Sequence, residues 1–282
     1  MINVLLPTDF SENAMNAIKY ALEFFKYENT NFYFMHAYQA EVYNHEDLLS
    51  RTDFDAIVQD MKQQSNANLE SLLKAVKEIS PNPRFKYHTI SAYNSLLDEA
   101  DLIVDGKNID LIVMGTKGKN NASNLTFGSN TLQVLKYVQC PVLAIPNDYK
   151  YAQPKHAVFP TNYLIPYKRR ELKLLCNLFS PYRTKIDMLY VSNSKKLSFR
   201  QEDNKAFIEE IVCKNEINFY TTESKKIDDA INTYIKNNSV DFLIMVNTRH
   251  SYLENILFES TIDKVSLNIS IPLLAMQNLR RV

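Results

Sequence analysis

The sequence predicts an α/β protein made of two similar units, each a five-stranded parallel sheet covered by helices. Three observations carry that prediction. Short β-rich apolar runs alternate with segments of helical period, the pattern of βαβ units. The second half repeats the first in order and in residues. Glycine, only four residues in 282, is concentrated in one stretch, with Gly115, Gly118 and Gly128 close together and Gly106 just before them.

Taken in order, the first half reads as strands at 2–7 (INVLLP), 31–37 (NFYFMHA), 84–90 (RFKYHTI), 109–114 (IDLIVM) and 141–146 (PVLAIP). Helices fit 12–26, 54–80, 94–106 and 128–138. Ala14, Ile18, Ala21, Leu22 and Phe25 recur at three- and four-residue spacing, which lines one face of the first helix. Ser11 precedes it as an N-cap. The second half reads as strands at 156–160, 185–191, 216–221, 240–245 and 272–276.

The repeat is visible residue by residue. VLLPTD at 4–9 resembles AVFPTN at 157–162, an offset of 153, and residues 110–147 align without gaps to 241–278, an offset of 131, with ten of 38 pairs identical. The offsets differ by 22 residues, so the first unit carries a longer middle, expected in the segment 39–75. The polar stretch 147–154 is the expected linker between domains at 1–147 and 154–282. Two units are too few for a solenoid.

Composition narrows the function classes. Apolar residues make up 45% and charged residues 23%, as in a globular protein rather than a disordered chain. Thirty-two basic residues balance thirty-two acidic ones, which gives no overall drive toward nucleic acid or an anionic membrane. The balance hides an asymmetry: residues 1–147 hold 12 basic and 17 acidic groups, residues 148–282 hold 20 and 15. Drift between two domains and a basic docking surface both fit it. The N-terminus lacks the basic and apolar regions of a signal peptide, and no run approaches the roughly 18 apolar residues of a membrane span. Cys140, Cys176 and Cys213 are odd in number and far apart, which reads as reduced thiols in a cytoplasmic protein. The five histidines show no zinc spacing, so no metal site is expected.

The chemistry-bearing motif follows the strand at 109–114. Gly115-Thr-Lys-Gly118 leaves the strand, and after nine intervening residues Gly128-Ser129 opens a helix. Glycines let a ligand approach the backbone, and a helix start offers N–H donors and a favourable dipole to phosphate. The place is also the carboxyl end of a strand, where open α/β sheets bind ligands. The spacing matches neither the P-loop nor the dinucleotide fingerprint, and phosphate binding and a plain tight turn stay open on these residues alone.

The pattern G-x2-G-x9-G-S of Gly115, Gly118, Gly128 and Ser129 resembles the nucleotide-binding signature of the ATP-binding universal stress proteins. Pro7-Thr8-Asp9 resembles the family's opening strand end, FMHA at 34–37 its second strand end, and CPVLAIP at 140–146 its last strand. The likeness covers the first 147 residues, and the second unit keeps the same order of elements without the signature. The chain as a whole resembles a tandem member. The resemblance implies two Rossmann-like domains, each with strand order 3-2-1-4-5 and helices on both faces. It implies ATP, with or without Mg2+, in the first domain only. Asp9 would lie beside ribose and adenine, the backbone of Ala37 would contact adenine, Gly115 and Gly118 would line ribose and phosphates, and Gly128, Ser129 and Asn130 would donate to the phosphates. Pro7, Thr8, Met114, Lys117 and Lys119 complete the wider set. Lys117 and Lys119 read equally as phosphate partners or as solvated loop lysines, and Asp9 as a ribose contact or strand-end turn residue before a base or metal ligand. His36 reads as a packed strand-end histidine.

At the aligned positions of the second unit Gly115 becomes Val246, Gly118 becomes Arg249, Gly128 becomes Glu259 and Asp9 becomes Asn162. A β-branched side chain where glycine could take positive φ, and a carboxylate where phosphate would sit, read as a lost site and a structural unit. The implied function is a nucleotide-binding stress-response or regulatory protein with slow hydrolysis or none. The alternatives are an interaction or scaffold module that binds no nucleotide and a weak ATPase. The two final strands would be sheet edges that pair within the chain as an intramolecular pseudo-dimer. A homodimer and a protein partner are left open, and neither nucleic acid nor membrane is expected as a partner.

Overall fold

The computed structural model describes residues 1–44, 53–117, 127–192, 196–210, 214–247, 253 and 270–277. The chain folds as two compact units, Met1–Tyr151 and Ala152–Val282.

The first unit runs β1 (Ile2–Pro7), α1 (Glu12–Phe24), β2 (Thr30–Ala37), α2 (Gln39–Tyr43), α3 (Phe54–Ile79), β3 (Phe85–Ala92), α4 (Leu96–Gly106), β4 (Leu111–Gly115), α5 (Ser129–Tyr137) and β5 (Val142–Ile145). Its strands are parallel in the order β3-β2-β1-β4-β5, with Pro7 opposite Met35 and Leu5 opposite Ile112. The order reverses between β1 and β4, so right-handed crossovers send α1 and α3 to one face and α4 and α5 to the other. β1 and β4 are covered on both faces, and accordingly Val4, Leu5, Leu6, Leu111, Ile112 and Val113 are all fully buried. Ser11 caps α1 by accepting from the Ala14 N–H, as the sequence predicts. α2 has no counterpart among the predicted elements. It is held by its own small cluster, Tyr38, Val42 and Ile57 with Val58 and Met61.

Part of the expected linker packs on the first unit. The rings of Tyr149 and Tyr151 lie 6.1 and 5.2 Å from that of Tyr20 on α1, and Asn16 donates to the Tyr149 carbonyl at 3.2 Å.

The second unit runs β6 (His156–Thr161), α6 (Arg169–Phe179), a 3-10 turn at Ser180–Tyr182, β7 (Lys185–Ser192), α7 (Phe199–Glu209), β8 (Ile217–Glu223), α8 (Ile227–Asn237), β9 (Phe242–Asn247) and β10 (Leu273–Gln277). Its parallel order, β8-β7-β6-β9-β10, is that of the first unit. The longer middle of the first unit is α2 together with the 26-residue α3, where the second unit has the 11-residue α7.

The cysteines differ from expectation. Cys140 is a buried thiol outside any disulfide, but Cys176 on α6 is disulfide-bonded rather than a reduced thiol. Cys213 lies outside the described residues.

Candidate functional site

The carboxyl ends of β1, β2 and β4 meet where the strand order reverses, the place open α/β sheets reserve for ligands. β1 leaves the sheet through a strained turn. Phe10 takes φ 60°, which a bulky side chain rarely adopts. Two short polar side chains hold it there: Thr8 Oγ accepts from the Phe10 N–H and Asp9 Oδ1 from the Ser11 N–H, both at 3.0 Å. The turn brings the start of α1 so close to β4 that a Cβ on Gly115 would sit 3.1 Å from the Asn13 carbonyl oxygen.

Opposite, α5 starts at Gly128, which offers no side chain to cap the helix. Among the described helices of eight or more residues, α5 alone has neither a side-chain cap nor an acidic residue in its first turn. The N–H groups of Ser129, Asn130 and Thr131 thus open the helix without intrahelical acceptors and with the positive end of its dipole unneutralised. The Thr131 hydroxyl donates to the Gly115 carbonyl at 2.9 Å and ties this helix start to the end of β4.

Between these elements lies a cavity of about 330 Å3. Pro7, Thr8, Asp9, Ala37, Met114, Gly115, Lys117, Ser129 and Asn130 line it, so the structure brings nine of the predicted positions to one wall-to-wall space. Gly118 and Lys119 lie outside the described residues. Gly128 stands at the helix start but does not line the cavity, and its N–H is spent on the Thr116 carbonyl at 2.7 Å. None of the described glycines has positive φ. Val246 therefore stands where the first unit has no left-handed backbone, and what it brings to its position is side-chain bulk.

Residues outside the predicted site set also reach the cavity, chiefly Ala14, Glu41, Asn44, Thr131 and His36, which the sequence marks only as a packed strand-end histidine. His36 is buried. Its Nδ1 lies 2.9 Å from Ser65 Oγ and its Nε2 3.3 Å from Glu41 Oε1, and the Phe10 ring packs 4.7 Å away. Behind α2, burial pushes the Tyr38 hydroxyl above its ordinary range, which keeps it neutral. No group of three His, Cys, Asp or Glu among the described residues is placed to hold a metal ion.

The second unit repeats the scaffold and fills the space. Thr161 accepts from the Tyr163 N–H at 3.1 Å, Asn162 from the Leu164 N–H at 3.0 Å, and Tyr163 takes φ 54°. The equivalent cavity is only about 10 Å3, lined by Pro160, Thr161, Asn162, Ile165, Tyr167, Met245, Val246 and Leu253. α6 starts four residues later than the offset of 153 predicts, and that extra chain inserts Ile165 and Tyr167, whose hydroxyl is 2.6 Å from Thr161 Oγ. Arg249 and Glu259 lie outside the described residues.

Residues 1–146 match the model of the universal stress protein family. The chain is 28% identical over 147 residues to universal stress protein MJ0531 of Methanocaldococcus jannaschii, covering 52% of this chain and 83% of that protein. It is 24% identical over 150 residues to universal stress protein MJ0577 of the same organism, covering 50% and 93%. The fold resembles the crystal structure of a universal stress protein from Archaeoglobus fulgidus over 98% of each chain, with a TM-score of 0.70 at 16% identity. No described helix is long and apolar enough to cross a membrane. On the match over its first 146 residues, the chain belongs to the universal stress protein family.

Proposed function

We propose that the first unit binds ATP and that the chain acts as a nucleotide-binding regulatory protein of the stress response in the cytoplasm. The observation that carries this reading is the contrast between two copies of one scaffold: about 330 Å3 of cavity beside an uncapped helix start in the first unit, about 10 Å3 in the second. The larger value lies within the roughly 300–1,000 Å3 of small-molecule sites. The N–H groups of Ser129 and Asn130 and the Lys117 ammonium supply the positive end, and Asp9 and Ala37 supply the polar strand ends for the nucleoside. Mg2+ would arrive with the nucleotide. The second unit is a degenerate, structural copy.

On this reading the chain binds the nucleotide rather than turning it over, with hydrolysis slow at most. Calorimetric titration of the whole chain with ATP and Mg2+ tests this directly. The expected stoichiometry is one per chain. A value of two would mean that the filled copy opens, and no heat or displacement of ATP would leave the chain an interaction module.

A further inference from the structure

The cavity has a second polar wall that the phosphate argument does not use. It consists of Glu41 on α2, backed by His36 at the end of β2. His36 is buried, and each ring nitrogen has a partner: Ser65 Oγ at Nδ1, itself 2.7 Å from Ser91 Oγ, and the Glu41 carboxylate at Nε2. A carboxylate only accepts hydrogen bonds, so Nε2 carries the proton and donates to Glu41. Ser65 meets the other nitrogen from a fully buried position on α3. Glu41 is thereby held at the cavity by a chain of side chains that reaches from α3 through β2 to α2, while 44% of its own side chain stays accessible.

The second unit shows what the scaffold needs at this place without a cavity. Tyr190 pairs with Thr161 in the register that puts His36 beside Thr8, and the ring of Tyr190 stacks on Tyr163 at 5.4 Å as His36 packs on Phe10 at 4.7 Å. Ring packing on the strained turn is thus met by a tyrosine. The imidazole, its two polar partners and α2 occur together in the copy that has the cavity. A buried imidazole needs a partner at each nitrogen, and the tyrosine of the second unit meets the same packing without that pair of partners, so packing alone does not call for the imidazole.

We infer that Glu41 is the specificity-determining group of the site and His36 its positioning residue: the carboxylate accepts a hydrogen bond from an O–H or N–H donor on the nucleoside half of the ligand. The inference rests on the reading of the cavity as a nucleotide site. It also sets the direction of binding. A fixed carboxylate repels phosphate, so the phosphates lie at α5 and the neutral, donor-bearing end lies at α2. The donor is a ribose hydroxyl or the exocyclic amine of the base. Both are neutral groups that a carboxylate recognises, and a site built to receive such a donor rejects the analogue that lacks it.

The test is calorimetric titration of the full chain with ATP, 2′-deoxy-ATP, 3′-deoxy-ATP and inosine triphosphate, in the wild type, Glu41→Ala and His36→Phe. The wild type should bind the analogue missing the recognised donor at least tenfold more weakly than ATP. The gap should close in Glu41→Ala, because ATP loses affinity and that analogue does not, and it should shrink in His36→Phe with Glu41 still present. Which analogue shows the gap identifies the donor. Equal affinity of the wild type for all four, or an equal loss for all four in Glu41→Ala, overturns the inference and leaves nucleotide binding standing. A wild type that binds none of them overturns both. Thermal melting of each variant separates lost selectivity from lost fold, and Glu41→Ala, at an accessible position, carries the test if His36→Phe does not fold.

Discussion

Asp9 holds a turn and faces the cavity proposed to take the nucleotide, and one substitution separates the two roles. Its Oδ1 accepts from the Ser11 N–H, and Asn162 does the same for Leu164 in the second unit. Asn at this position therefore keeps the turn. Asp9→Asn should leave the melting temperature within about 1 °C, since surface changes that preserve local hydrogen bonds stay within roughly 0.5 kcal/mol. ATP affinity should fall about tenfold if the carboxylate meets the nucleoside, which a titration of the variant reads directly. Gly115 shows a different limit of sequence reading. It signals close approach, as its spacing suggests, but the neighbour is the Asn13 carbonyl rather than a ligand alone. Tyr167 carried no signal. Nothing in the repeat marks it, because it sits in the four residues by which α6 starts late, and only its bond to Thr161 shows that it fills the lost site.

The strands were legible because burial on both faces demands continuous apolar runs such as VLLP and LIVM, and the long helices α1, α3, α4 and α5 because their apolar residues recur at helical spacing. The helix α2 was not legible. Five residues span too little of a turn pattern to show a period, and it stands only because Val42 packs with Tyr38 and Ile57. α4 exposes a different tension. Asp98, Asp101 and Asp105 share one face, with no basic residue in the last turn to offset Asp105. Partial burial, with repulsion from Asp105 and Asp98, raises the Asp101 carboxyl above its ordinary range. A carboxyl raised in the folded state costs stability at neutral pH. The cost shrinks as pH falls through the folded pKa and is gone below the unfolded value. Asp105→Asn should therefore raise the melting temperature at pH 7 by about 1–3 °C, from roughly 0.5–1 kcal/mol of relieved repulsion and helix-end charge. Melting curves near pH 3 should show no gain.

At the scale of the molecule, the first unit contains every described residue of the candidate site and its own core. Its boundary is set by packing rather than by polarity: Tyr149 and Tyr151 lie on α1, and Lys26 sits 5.5 Å from the Tyr151 ring, whereas Pro154 is held by the Thr184 hydroxyl of the second unit at 2.8 Å. Residues 1–151 produced alone should melt cooperatively and keep ATP affinity within about threefold of the whole chain. A fragment cut at 147 should melt several degrees lower, since it leaves Tyr20 uncovered. Parallel melts of the two fragments check the difference.

The sequence by itself determined the fold class, the duplication and which copy carries the glycine signature. Those features are written as periodicity and as residue identity, and both survive in one dimension. Only the tertiary structure decided what the site is made of. A cavity is a property of distances between elements far apart in the chain: β1 with α5, α2 with α3, the delayed start of α6 with β9. The pairing of His36 with Ser65 and Glu41, the use of the Gly128 N–H by Thr116 and the filling of the second copy by Tyr167 all depend on such distances, and no local pattern records them.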